Sequence, residues 1–411
     1  MPDASRTRST YVHELWRAGT AGILETAGST FLLTIAVRWF DANGTSKAIV
    51  AGAGSLGLLL SPLVVAVVAR GRWNASVAAS RILAAGAVSF VVIAAFPVLP
   101  VFVAGSVIAM ASSAGIIPLL TQMYQDNYPE NQRGRLFSRT VMIRIAMAAL
   151  FSHLAGNLLG HRIEAFRWVL LVFAGALGFA AFCLARCPTQ PLHNDGGAHP
   201  FRALRFARED KLFQRTLICW MLMGFANLMM LPLRVEYLAN EKYHPGQVVG
   251  VATIALLTGV IPNLARLVLS PVWGHLFDRM NFFALRVTLN LGFAIGILTF
   301  FLSNSAWGLV TGAIVYGISN AGGDVAWSLW VTKFAPPERV ADYMSVHTFL
   351  TGVRGVFAAA MAFTLAGRVS VGTLAVFSCG LILAGSALLL PELKSMRRAR
   401  PAAALVEEVS D

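Results

Sequence analysis

The sequence predicts an all-α, polytopic membrane protein in which twelve transmembrane helices form two pseudo-symmetric six-helix bundles. Three observations carry that expectation: the composition, the spacing of apolar windows, and the placement of basic residues. Of 411 residues, 56% are hydrophobic and 13% charged, whereas about a quarter of a soluble domain carries charge. A bilayer span takes about 20 apolar residues, so twelve spans joined by short loops fit the length. The net charge of +13 would suit nucleic acid on a soluble scaffold. Here the basic residues lie in short gaps between apolar runs, so membrane orientation explains them and nucleic acid is excluded as a partner.

In order along the chain, apolar windows fall at about 17–39, 47–69, 76–95, 99–123, 139–160 and 167–186, then 213–235, 247–274, 283–303, 307–332, 343–365 and 371–390. The domains expected are a tail over 1–16, a first bundle over 17–186, a linker over 187–212, a second bundle over 213–390 and a tail over 391–411. The first apolar stretch contains Glu25 and lacks a small-residue cleavage site after it, so it is expected to be a retained span. Of the 33 Lys and Arg residues, seven (Arg38, Lys47, Arg162, Arg167, Arg234, Lys242 and Arg368) fall on one side and three (Arg144, Arg266 and Arg354) inside spans. All others share the side of the N-terminus, which predicts two cytoplasmic termini in a plasma (inner) membrane.

The linker opens with Pro188, Pro191, Gly196, Gly197 and Pro200, then becomes a basic amphipathic segment, Phe201 to Arg208, suited to the inner lipid leaflet. Cys183, Cys187, Cys219 and Cys379 lie in or beside apolar runs, so neither a disulfide nor a metal site is expected. No cofactor is implied, and a monomer is expected.

The halves resemble each other. Ser112, Ala114, Gly115, Pro129 and Ser138 lie in ungapped register over Ser319, Ala321, Gly322, Pro336 and Ser345, and Leu60-Ser61-Pro62 matches Leu269-Ser270-Pro271. Duplication of a six-helix unit explains both matches.

Gly274-His275-Leu276-Phe277-Asp278-Arg279 resembles the Gly-x-Leu-x-Asp-Arg loop of the major facilitator superfamily of secondary transporters, and Tyr128 to Arg135 resembles that family's loop after the fourth span. The resemblance implies alternating access and gating by Asp278 and Arg279, with Arg70, Arg133 and Arg135 at the matching loops. In the first half the matching place reads Val65-Ala66-Val67-Val68-Ala69-Arg70, without the glycine and the acid. The fifth span lacks the Gly-Pro signature of the family's drug/proton antiporters, which disfavours a multidrug exporter.

Charges inside a span cost about 2.5–3.5 kcal/mol each on insertion scales, so each predicts a cavity or a partner. Glu25, Arg144, Arg266, Asp324 and Arg354 lie about 6 to 11 residues from the nearer cytoplasmic end, hence roughly 9 to 16 Å deep. Spans 3, 6, 9 and 12 carry none at that depth, with Arg81 and Arg286 near the ends, which matches the lipid-facing helices of the family. Helical spacing puts Asn263 beside Arg266, Asn320 beside Asp324, Tyr343, His347 and Thr351 beside Arg354, and Trp220 and Gly224 beside Asn227.

These residues are the candidate binding site: Glu25, Arg144, Asn227, Asn263, Arg266, Asn320, Asp324, His347 and Arg354. Two arrangements remain open. Asp324 neutralises Arg266 or Arg354 and Glu25 neutralises Arg144 as structural pairs, or the surplus arginine binds a carboxylate or phosphate through its planar fork. The second predicts a secondary active transporter of a small anionic or zwitterionic organic solute, with Glu25 or Asp324 coupling it to protons as a symporter. Alternatives are a transporter-like sensor without flux, or a drug or metabolite exporter of the same fold. No metal cluster and no buried nucleophile beside a base stands out, so an enzyme is not expected. His153 and Asn157 are expected to face away from Arg144, and Trp327 and Trp330 to line the pathway or to anchor the interface.

Overall fold

The computed structural model describes residues 4–189, 191, 202–243, 249–303, 305–330 and 340–391, and among them every element is helical. The first bundle contains α1 (Ala4–Arg38), α2 (Gly44–Arg70), α3 (Ala75–Ala95), α4 (Leu99–Gly115, continued by Ile117–Asn127), α5 (Glu130–His161) and α6 (Phe166–Ala185). The second contains α7 (Lys211–Ala239), α8 (Val251–Ala255, Leu256–Val260 and Ile261–Arg279), α9 (Phe282–Leu302), α10 (Ala306–Leu329), α11 (Val340–Ala366) and α12 (Val371–Ala387). Ten helices among the described residues are long and apolar enough to cross a membrane, and Val371–Ala387 is a shorter apolar helix. The end of the bundle that holds the first and last described residues is here the terminal end, and the opposite one the far end.

Each bundle closes on its own apolar core. Phe31, Phe90, Phe102, Phe166 and Phe173 belong to the first, and Trp220, Phe213, Phe293, Phe300 and Trp330 to the second. Two buried residues cross over: Leu33 of α1 packs into the second core and Ala255 of α8 into the first. Large apolar side chains stay exposed on α3, α6, α9 and α12, among them Val88, Trp168, Ile295 and Val376. Facing lipid, these surfaces need no polar cover.

Short polar side chains start the helices. Asn43 accepts from Ser46 N at 2.9 Å, Asp210 from Phe213 N at 2.9 Å and Asn281 from Phe283 N at 2.8 Å, each satisfying an N–H that the helix leaves orphaned. Asn43, which heads a glycosylation triplet in sequence, is therefore a helix cap. The repeat is visible in the backbone, since Pro62 and Pro271 both sit inside their helices, α2 and α8.

Helix α1 starts at Ala4, well before the apolar window at 17. Its polar first turns are held by side chains: Arg17 donates to both oxygens of Glu14 at 2.6 and 2.8 Å, and Tyr124 OH donates to Glu14 at 2.5 Å. Asn127 donates to Thr10 at 2.9 Å and to Pro188 O at 2.7 Å. Hydropathy could not show this, because polar groups that satisfy one another bury without being apolar.

Two π-helical segments, Ala27–Phe31 in α1 and Leu256–Val260 in α8, interrupt their helices. They face each other across the halves, with Thr30 Oγ1 3.1 Å from Thr258 Oγ1. At Gly22, α1 lies so close to α5 that a Cβ would run into Arg144 O and come within 2.9 Å of Met147 Cβ. That approach sets the distance between α1 and Arg144.

Candidate functional site

The two π segments flank the charged centre. Glu25 lies just before the first, and Arg266 lies six positions beyond the second. Arg266 Nε donates to Asp324 Oδ2 at 2.5 Å, while Nη1 donates to Glu25 Oε1 and, at 3.3 Å, to Asn263 Oδ1. Arg144 Nε lies 3.2 Å from Glu25 Oε2 as an ion pair without hydrogen-bond alignment. One guanidinium of the second bundle thus holds a carboxylate from each half.

Burial grades outward from that arginine. The Arg266 side chain is 4% exposed, those of Glu25 and Asp324 28% and 30%, and that of Arg144 34%. Two acids balance two arginines, so the burial penalty of Arg266 is offset by charges that themselves stay wetted. A carboxylate that reaches water can exchange protons or give way to a competing anion. That is the chemistry the arrangement offers.

The expected pairings are only partly what forms. Asp324 pairs with Arg266, and Glu25 reaches Arg144 as expected but also Arg266. Arg354 takes another place: its Nη1 donates to Trp220 O, and a Cβ on Gly224 would overlap its guanidinium. Only a residue without a side chain leaves that room. His347 is fully buried among the rings of Trp220, Trp327 and Trp330 at 5.1 to 5.6 Å between centroids. Trp330 is neither pathway nor interface, because it is fully buried and stacks on Phe213 at 5.6 Å. Asn320 is half-buried on α10. Asn227 keeps a buried Oδ1 without a partner and faces a small void beside Arg234. His153 and Asn157 bond to each other at 3.1 Å on an exposed face, away from the cluster.

Arg70 is exposed at the end of α2. The side chains of Asp278, Arg279, Arg133, Arg135 and Tyr343 lie outside the described residues.

Arg286 shows a burial that the sequence did not signal. Although near its helix end, it is fully buried with its guanidinium 3.7 Å from the Trp220 ring centroid, and none of its nitrogens has a hydrogen-bond partner. Span 9 therefore carries a buried charge, because position along a helix does not reveal what a neighbouring tryptophan covers. Sequence inspection also missed the pair of Lys47 and Glu236 at 2.6 Å, which joins α2 to α7 at the far end. Lys47 counted there only among the basic residues of one side, and Glu236 carried no reading.

A model of the Major Facilitator Superfamily matches residues 18–360. The chain belongs to the major facilitator superfamily. None of the curated protein sequences matches it. Among solved structures, a variant of the nucleoside transporter NupG superposes with a TM-score of 0.72 at 13% identity, covering 94% of this chain and 99% of that one. The human organic anion transporter MFSD10 superposes with a TM-score of 0.67 at 16% identity over 95% of this chain and 100% of that one. A D-xylose-proton symporter gives 0.67 at 15% identity over 93% and 95%. At these identities the likeness establishes the fold. Membership of the superfamily makes the protein an integral membrane transporter rather than an enzyme, and the 6+6 arrangement is the superfamily's own.

Proposed function

We propose that the protein is a secondary active transporter that moves a small anionic or zwitterionic organic solute by alternating access, coupled to protons. One observation supports this above others: Arg266 is shared between Glu25 of the first bundle and Asp324 of the second. With both carboxylates ionised, Nε and Nη1 of Arg266 are both engaged. Protonation of either acid releases one edge of the guanidinium, and a carboxylate or phosphate of the solute takes it up bidentately. Proton and anion then favour each other's binding, as symport requires.

The described contacts between halves favour a shape closed at the far end. Lys47 meets Glu236, Thr30 meets Thr258, Arg38 donates to Val249 O at 2.8 Å, and Gly156 and Gly160 of α5 approach Ala255 and Ala252 of α8. With both termini in the cytoplasm, the closed end is the outer one. Asp278 and Arg279, with Arg70, Arg133 and Arg135, would form the opposing gate.

The test uses purified protein in liposomes under an imposed pH gradient, with panels of organic anions, zwitterions, neutral sugars and cations. An anionic or zwitterionic solute should accumulate with the gradient, and Arg266→Lys should lower its uptake at least about tenfold, the equivalent of losing one charged hydrogen bond. Glu25→Gln or Asp324→Asn should abolish accumulation while exchange persists. Saturable binding without flux would make the protein a sensor. Unchanged pH dependence in both acid variants would remove the coupling role.

A further inference from the structure

Arg234 lies inside the second bundle, away from the Arg266 cluster, and the transport mechanism makes no use of it. It is 5% exposed, its guanidinium carbon lies 3.9 Å from the Tyr316 ring centroid, and its Nε and Nη1 have no hydrogen-bond partner. An isolated buried guanidinium is costly unless an anion accompanies it. The ring face of Tyr316 attracts the cation but accepts no N–H in the guanidinium plane.

The surrounding helices supply no counter-charge. Glu236, on the same helix, is two positions along, about 200° round, and is already held by Lys47 and by Asn240 at 2.8 Å. Helices α9 and α12 contain no Asp or Glu. Asp324 of α10 is eight residues from Tyr316, about 12 Å along the axis, and is bound to Arg266.

Against Arg234 lies a void of about 10 Å³ between α7, α9 and α10. Asn227 and Tyr316 share its lining with Gly296 and Gly312, and at Gly312 α9 and α10 cross too closely for a side chain. A space of that size holds on the order of one water-sized particle. It excludes phosphate and organic acids.

We propose that this void is a binding site for one small monovalent anion of halide size, chloride in a cell, which neutralises Arg234. One unpartnered N–H of Arg234 donates to it, and Asn227 turns its amide NH₂ toward it. The site does not depend on which solute the central cluster carries.

The experiment measures the melting temperature of the purified full chain as chloride replaces gluconate at constant ionic strength. Wild type should rise saturably by several degrees, bromide should substitute for chloride, and Arg234→Met should abolish the dependence. A wild-type melting temperature that ignores the anion overturns the proposal, as does a chloride dependence that survives in Arg234→Met. Should that variant fail to fold, crystals of wild type grown in bromide decide: an anomalous peak beside the guanidinium supports the site, and water alone there overturns it.

Discussion

Lys47 Nζ donates to Glu236 Oε1 at 2.6 Å, with side chains 10% and 2% exposed. The pair ties the start of α2 to the end of α7, one helix from each bundle, and Asn240 braces the same carboxylate oxygen. Removing one partner of a buried pair costs about 3–5 kcal/mol, because the other charge stays buried alone. Lys47→Met or Glu236→Gln is therefore expected to loosen the far end, and the double variant to recover most of the loss. The check is maleimide labelling of Ser55→Cys, whose position lines a cavity between the halves. Labelling at the parental rate in both single variants would show that the pair does not latch that end.

Arg266 couples Glu25 to Asp324 although the two acids come from different bundles. Glu25→Gln and Asp324→Asn should therefore be non-additive in melting temperature, with an interaction energy of about 0.5–3 kcal/mol. A double-mutant cycle measures it. Strict additivity would mean that the two carboxylates bind Arg266 independently.

Gly22 should tolerate no side chain. A Cβ there meets Met147 Cβ at 2.9 Å and Ala148 N at 3.0 Å, and overpacking of this kind costs about 1–3 kcal/mol. Gly22→Ala should lower the melting temperature and, by pushing α5 away, weaken the ion pair of Arg144 with Glu25. Gly175→Ala is the contrast, since nothing lies within 4 Å of its Cβ. There the helix should gain about 0.5–1 kcal/mol.

The Cys187 thiol should be inert in the folded protein. Burial, with the nearby Glu14 carboxylate adding to it, pushes its pKa up to about 12, and only the thiolate reacts. Mass spectrometry after N-ethylmaleimide at neutral pH should find Cys187 unmodified, and modified once denaturant is added. Rapid modification without denaturant would contradict the packing around Asn127 and Pro188.

Periodicity and hydropathy made the bundles legible because a helix exposed to lipid must be apolar, as on α3, α6, α9 and α12. They also located Glu25, Arg266 and Asp324, since a charge in an apolar run stands out. Pairing was not legible: Arg354 carries the same signal as Arg266, yet the bare backbone of Gly224 steers it to Trp220 O. Burial of polar residues near helix ends was equally silent. Glu14 and Arg286 are fully buried because Tyr124 and Trp220, distant in sequence, cover them.

A π segment is a helix carrying one residue more than its turn requires. Everything on one side of it is rotated relative to the other by about 100° compared with an unbroken helix. Glu25 precedes the segment in α1 while Leu33 follows it, so the extra residue lets one helix aim a carboxylate at Arg266 and an apolar side chain at the second core. Deleting a single residue between Ala27 and Phe31 would change none of those side chains' identities, yet would swing Glu25 off its partner. The salt bridge between the halves is thus a matter of counting as much as of chemistry: it depends on the number of residues in a turn.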